Sequence, residues 1–194
     1  MNIDALLAVV NQLQPQDENV IKYLQDNITS VNFKSGQLLQ KAGEHCHNVY
    51  FVKKGAIRGF IKEGKKEITT WISTDNSFVT SISALDLRIP SFENMQAIED
   101  CELLALTLAD LEILYEQFPE FNIVSRKLLQ RYYSDAERRA FIARLTNAET
   151  KYKQFLTRYS HFSNRIPLTY IASFLGITLE TLSRVRRKLS MRKI

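Results

Sequence analysis

The sequence predicts an α+β fold: an N-terminal antiparallel β-barrel of the jelly-roll (double-stranded β-helix) kind with flanking helices, then a long helix, then a small helical unit. Three observations carry this expectation. Residues 30–106 hold short runs of β-branched and aromatic residues separated by Gly-containing turns, whereas residues 107–145 hold one Pro and no Gly. Charge divides the chain: residues 1–120 carry 10 Lys/Arg against 17 Asp/Glu, net −7, and residues 121–194 carry 16 against 4, net +12, which together give the overall +5. Near the C-terminal end, two short amphipathic segments flank a single Gly. A chain of 194 residues with 45% apolar and 24% charged residues has room for one large domain or two small ones with a buried core.

Helical spacing of Ile3, Leu6, Leu7 and Val10 opens the chain, and Pro15 to Asp17 start a second helix carrying Val20, Ile21 and Leu24. Strands follow at Val31-Asn32-Phe33, Val49-Tyr50-Phe51-Val52, 57–61, 68–72, 95–98 and 101–106, with turns at Lys34-Ser35-Gly36, Lys53-Lys54-Gly55 and Glu63-Gly64-Lys65. Strands this short and evenly spaced point to an antiparallel barrel or sandwich. Thr107 caps a short helix through Leu108, Leu111, Ile113 and Leu114 that ends near Phe118-Pro119. Phe121, Val124, Leu128, Tyr132, Ala136, Ala140 and Ala143 then form a stripe at steps of three and four on one long helix, which a symmetric partner or simple core packing would cover. The expected division is a sensor barrel at 1–118, a dimerisation or linker helix at 119–146 and a helix-turn-helix DNA-binding domain at 147–194.

Residues 166–189 are the most informative segment. Pro167 suits a first helical position, Leu168, Ile171, Ala172 and Leu175 share one face, and Gly176 stops the helix. Thr178 caps a second helix with Leu182, Val185 and Leu189 turned inward. The opposite face presents Glu180, Ser183, Arg184 and Arg187, so the pair reads as a helix-turn-helix. Arg184 has the donors for guanine O6 and N7, Glu180 accepts from the cytosine amino group, and Ser183 is small enough for close approach. Arg187, Lys188, Arg192 and Lys193 suit phosphates. Helix-dipole complementation is the simpler explanation for any one of these charges.

In this order, Gly-bounded barrel, long helix and C-terminal helix-turn-helix resemble the CRP/FNR family of bacterial transcription regulators. The strongest piece is the run from Leu175 through Gly176, Ile177, Thr178, Leu179, Glu180, Thr181, Leu182 and Ser183 to Arg184. Glu180, Ser183 and Arg184 are similar to the base-reading triad of the FNR branch, which implies a palindromic double-stranded DNA site with TTGA-like half-sites. Leu179 stands where the catabolite activator branch has Arg, and Thr169 stands where the family touches phosphate. The implied DNA-binding set is Thr169, Thr178, Leu179, Glu180, Thr181, Ser183, Arg184, Arg187 and Lys188. The resemblance further implies a homodimer and RNA polymerase as a possible partner. The chain stops five residues after Leu189, so a truncated or missing β-wing is expected.

Members of that family that bind cyclic nucleotides carry a Gly-Glu pair and an Arg-Ser pair in the barrel. Alignment on Phe78 and Cys101-Glu102 puts Thr80-Ser81 and Ser91-Phe92 there, so both charged ligands are replaced. Ser81, Arg88 and Ser91 are the remaining candidates for an effector pocket, Arg88 three positions early, and cyclic AMP is not expected to bind. Two Cys cannot ligate an iron–sulfur cluster of the four-Cys type, and no cofactor is expected. His45-Cys46-His47 opens a metal-site pattern of cupin-like enzymes, but a catalytic metal needs three or more protein ligands, so no metal and no catalytic residue are expected. Two other readings stand beside the regulator: a barrel that works by protein–protein contact with an incidental basic tail, and that metal enzyme. With Asp4 near the start and no apolar run of spanning length, a cytoplasmic protein with no membrane partner is expected.

Overall fold

The structure, a computed structural model, describes residues 2–82 and 89–191. Two helices, α1 (Asp4–Leu13) and α2 (Glu18–Asn27), precede eight strands: β1 (Thr29–Phe33), β2 (Leu38–Gln40), β3 (Asn48–Lys54), β4 (Ala56–Glu63), β5 (Lys66–Thr74), β6 (Ser77–Val79), β7 (Asn94–Ala97) and β8 (Cys101–Thr107). Helices α3 (Leu108–Gln117), α4 (Phe121–Arg144), α5 (Ala148–Tyr159), α6 (Leu168–Leu175) and α7 (Leu179–Met191) complete the described chain. The strands form two antiparallel four-stranded sheets, β1-β8-β3-β6 and β2-β7-β4-β5, as expected of a jelly-roll barrel. Strands β2 and β6 were not among the expected elements. Each is three residues long, too short for an alternation to show, and pairing alone defines them.

Alternation along β3 divides its side chains between two cores. Tyr50 and Val52 enter the barrel with Ile57, Met95 and Leu103, while Phe51 faces outward among Leu6, Val10, Leu24, Leu111 and Leu114 of the flanking helices. Asp17 caps α2 by accepting the Val20 amide at 2.9 Å, and Thr107 caps α3 by accepting the Asp110 amide at 3.0 Å. Gly59 lies directly under the Trp71 indole across the β4–β5 pair, where any Cβ would collide with the ring.

The apolar stripe on α4 is not one surface. Four successive steps of four residues, from Val124 to Ala140, carry it about 160° around a helix of 3.6 residues per turn. Phe121 and Val124 are buried with Leu128 against α1 and α3, and the Tyr132 hydroxyl bonds both the amide and the carbonyl of Phe78. Ala140 and Ala143 are exposed. Of the two covers expected for the stripe over 121–143, the first half has core packing within the chain itself. A different row, Leu129, Tyr133, Ala136 and Ala140 at steps of 4, 3 and 4, faces out, with Leu129 52% and Tyr133 73% exposed. It borders a groove of about 600 Å³ lined by Tyr115, Arg126, Leu129 and Tyr133.

Helices α5, α6 and α7 close around Phe155, Ile171, Leu175 and Leu182, all at most 1% exposed. The same cluster includes Ala56, Ile72 and Ile98 of the barrel, so α6 packs onto the outer face of the β2-β7-β4-β5 sheet.

Candidate nucleic-acid interface

Gly176 adopts φ 62° and ψ 41°, the left-handed stop of α6, and the Ile177 amide closes on the Ala172 carbonyl at 3.1 Å. Thr178 then caps α7, its hydroxyl oxygen accepting the Thr181 amide at 3.2 Å. Leu182 and Val185 are buried beneath α7, and Leu189 is half-buried. Glu180, Ser183, Arg184 and Arg187 are exposed on the outer side, so the turn and the helical period bring these four onto one open face. Leu179 (39% exposed) and Thr178 border that face, Thr181 is half-buried, and Thr169 is exposed on the first turn of α6.

The electrostatics of this face suit hydrogen bonding. Hydrogen bonds from its own backbone N–H and from the Thr178 hydroxyl, with Arg184 nearby, hold the Glu180 carboxyl below its usual range. It therefore stays an acceptor at neutral pH. Among the described residues Arg184 makes one long hydrogen bond, 3.4 Å from Nη2 to the Thr181 hydroxyl.

Lys188 departs from the sequence expectation. Its ammonium pairs with Glu149 of α5 at 2.7 Å, and Lys153 reaches the same carboxylate at 2.8 Å. That pairing engages the Lys188 ammonium with α5, although the residue stays exposed. Arg192 and Lys193 lie outside the described residues. Two cations were missed by sequence reasoning: Arg186, half-buried, and Arg165 line a cleft of about 380 Å³ with Asn164, Pro167 and Leu168. Nothing in the linear pattern joins them, because they are 21 positions apart.

In the barrel, Ser81 and Ser91 are both buried, at 2% and 1% exposure. The Ser91 hydroxyl donates to the Glu93 carbonyl at 2.8 Å, and its amide donates to the Glu44 carbonyl at 2.9 Å. Arg88 lies outside the described residues. Two positions beyond Ser91, the Glu93 carboxylate accepts from the Thr70 hydroxyl and the Trp71 indole, each at 2.6 Å. Among the described residues at the two cassette positions none is cationic, and the fixed charge beside the second is negative. These residues do not fit a cyclic phosphate.

Cys46 is buried and donates to the Asn48 carbonyl, while His45 and His47 are exposed. Among the described residues no three His, Cys, Asp or Glu side chains gather as a metal site would require.

The geometry defines a class: a jelly-roll barrel joined through a long helix to a helix-turn-helix whose outer face is polar and open. Residues 30–118 match the family model of the cyclic nucleotide-binding domain. The fumarate and nitrate reduction regulatory protein of Yersinia pestis is 27% identical over 166 residues, covering 78% of this chain and 65% of that protein. Among solved structures, FixK2 from Bradyrhizobium japonicum superposes with a TM-score of 0.74 at 19% identity, covering 86% of each chain. A CooA variant from Carboxydothermus hydrogenoformans gives 0.73 at 18% identity, covering 96% of this chain and 84% of that one. The chain is thus similar to these regulators in sequence and in fold, and its residues 30–118 match the cyclic nucleotide-binding domain. It spans less than two thirds of the length of the Yersinia relative. Among the described residues no helix is long and apolar enough to cross a membrane.

Proposed function

We propose that the chain is a cytoplasmic, homodimeric, sequence-specific DNA-binding transcription regulator and not an enzyme. The observation that carries this reading is the outer face of α7, where Glu180, Ser183, Arg184 and Arg187 stand exposed in one row on a capped helix. The +12 charge of residues 121–194 supports it, as do the relatives named as regulatory proteins. In this reading Arg184 and Glu180 contact base edges of a TTGA-like half-site, Ser183 permits close approach, and Leu179 lies against a thymine methyl. Thr169, Thr178, Thr181 and Arg187 hold the phosphate backbone, with Lys188 reaching it only by giving up Glu149.

Residues 1–118 act as the sensor or docking barrel, 119–146 as the dimerisation helix and 147–194 as the DNA-binding unit. Dimerisation uses Leu129, Tyr133, Ala136 and Ala140, a 4-3-4 row whose two alanines allow close helix approach. The dimer matches a palindrome, and RNA polymerase is the partner on the promoter. Cyclic AMP is not the effector, since a buried cyclic phosphate needs a cation where this chain places Ser91, two positions before Glu93.

Electrophoretic shift on a palindrome with TTGA half-sites, against a scrambled duplex and across a salt series, tests the reading. The expected result is preferential binding that weakens steeply with salt. Absence of salt-sensitive binding to either duplex overturns it and favours a barrel that works by protein contact.

A further inference from the structure

The junction of α4 and α5 gathers more positive charge than its packing needs. The two helices run antiparallel. Lys151, in the first turn of α5, meets the Ala143 carbonyl in the last turn of α4, and Arg158, in the last turn of α5, pairs with Asp135 at 3.1 Å. On α4, Arg131, Asp135, Arg138 and Arg139 follow at steps of four, three and one, so at 3.6 residues per turn they share one side of the helix. Ile142 lies in the middle of that arc and is buried with Tyr152 and Phe155 of α5, which makes it the side that α5 covers. Four arginines, Arg131, Arg138, Arg139 and Arg158, thus stand around one carboxylate, Asp135. Arg131, Arg138 and Arg158 are exposed and Arg139 is half-buried. Among the described residues the Arg158–Asp135 pair is the one ion pair these four arginines make, so three of them carry uncompensated charge.

Two phenols register this charge. Burial pushes the Tyr159 and Tyr132 hydroxyls up; Arg139, Arg158 and Arg138 act against it at Tyr159, Arg158 and Arg131 do so at Tyr132, and Asp135 adds to it at both. The Tyr132 hydroxyl is engaged by the Phe78 backbone. That of Tyr159 makes no hydrogen bond among the described residues, while its ring is fixed on Phe155 at 4.8 Å and against Phe174 at 5.9 Å. Simpler roles do not absorb the arginines. One cation in the last turn complements a helix C-terminus, and Arg158 already does so for α5. The Glu149–Lys188 contact marks the α7 end of α5, and Arg158 lies about 13 Å further along the helix, toward the barrel and away from the α7 face. Arg131, Asp135 and Arg138 are also about 130–170° around α4 from the row of Leu129, Tyr133, Ala136 and Ala140, so a partner seated on that row leaves them uncovered.

We propose that the α4–α5 junction binds a small polyphosphate anion, such as the phosphate chain of a nucleotide, through Arg131, Arg138, Arg139 and Arg158, with the Tyr159 hydroxyl as a further donor. Three uncompensated guanidinium charges suit a polyvalent anion, whereas a single carboxylate would neutralise only one of them. Guanidinium groups donate paired N–H bonds to phosphate oxygens, and a cluster of them outmatches lysines at such a ligand. Asp135 is the opposing element: its charge repels the anion and holds Arg158, so it sets the affinity. The site is separate from the barrel cassette and from the α7 face, and the inference does not depend on the DNA-binding reading.

Calorimetric titration of the full chain with sodium tripolyphosphate, at an ionic strength fixed with sodium chloride, tests the site. One tripolyphosphate is expected per chain, bound about tenfold or more tightly than orthophosphate. Arg138→Gln combined with Arg139→Gln is expected to weaken it about tenfold or more, and Tyr159→Phe about threefold, the scale of one neutral hydrogen bond. Arg187→Gln, on α7, leaves it unchanged. Asp135→Asn is expected to tighten binding about threefold or more, a gain that a folding defect cannot produce. Absence of saturable binding at fixed ionic strength, equal binding by the unaltered chain and the double variant, or unchanged or weaker binding by Asp135→Asn overturns the site. A loss confined to Arg187→Gln assigns the anion to the α7 face and overturns it as well. In competition, a random DNA duplex is expected to leave the bound tripolyphosphate in place; stoichiometric displacement gives these arginines to the DNA backbone and overturns the small-anion assignment.

Discussion

Arg184 and Arg187 sit one helical turn apart on α7, both exposed, and differ in what surrounds them. Arg184 shares its face with Glu180, whose carboxylate is kept ionised, so the two present a donor and an acceptor side by side. Arg184→Ala is expected to cost about 1–3 kcal/mol on the preferred site and relax preference at one base pair. Arg187→Ala is expected to weaken all sequences alike and lower the salt slope by about one. Anisotropy titrations on specific and random duplexes at several salt concentrations separate the two, and equal losses for Arg184→Ala would sink its base-reading role. Lys151 shows the same dependence on surroundings. It is 7% exposed, and its ammonium donates to the Leu175 carbonyl at 2.8 Å and the Ala143 carbonyl at 3.3 Å, joining the C-terminal ends of α6 and α4. Lys151→Met strands two helix-end carbonyls and is expected to lower stability by about 1–3 kcal/mol, read from the urea midpoint at unchanged m. Its neighbours in sequence mark it as one more surface lysine; only the meeting of two helix ends buries it.

At the scale of elements, α5 was legible but unread: Asn147 caps it at the Thr150 amide, and Tyr152, Phe155 and Tyr159 have helical spacing. Its charge partner was not legible, because the Glu149–Lys188 contact spans 39 positions. Hydrogen bonds from Lys153 and Lys188 pull the Glu149 carboxyl from 4.5 down to about 2. A carboxyl depressed in the folded state adds stability that is fully present above its ordinary value and is lost as pH falls toward about 2. Lys188→Ala removes one donor, so Glu149 titrates at higher pH and the acid-unfolding midpoint of α5–α7 moves up. Carboxyl NMR titration of Glu149 with circular dichroism checks both. Because Lys188 is already paired, its removal changes the DNA salt slope less than Arg187→Ala does.

The whole molecule is held as one body by contacts that cross its parts, from Tyr132 on β6 through Lys151 at the helix ends to Arg165 on the barrel turns. Assembly is argued at the same scale. Tyr133→Glu places two like charges in the proposed seam, at a cost of about 3–5 kcal/mol for an uncompensated buried charge. Light scattering should then report a monomer with near-normal thermal stability, whereas Leu128→Glu strikes the chain's own core and lowers stability first. A dimer that survives Tyr133→Glu would remove the seam from this face.

The sequence by itself determined what is local. Six of the eight strands, the helix start at Pro15 to Asp17, the caps at Thr107 and Thr178, the stop at Gly176 and the open row on α7 follow from spacing, turn chemistry and period, which act over a few residues. Tertiary structure alone decided which half of the α4 stripe meets the barrel, that Lys188 pairs with Glu149, that Arg58 is buried, and that Arg165 joins Asp75 to Glu99. Each of these depends on partners tens of residues away, and a side chain's charge or apolarity states what it needs without stating which distant group supplies it.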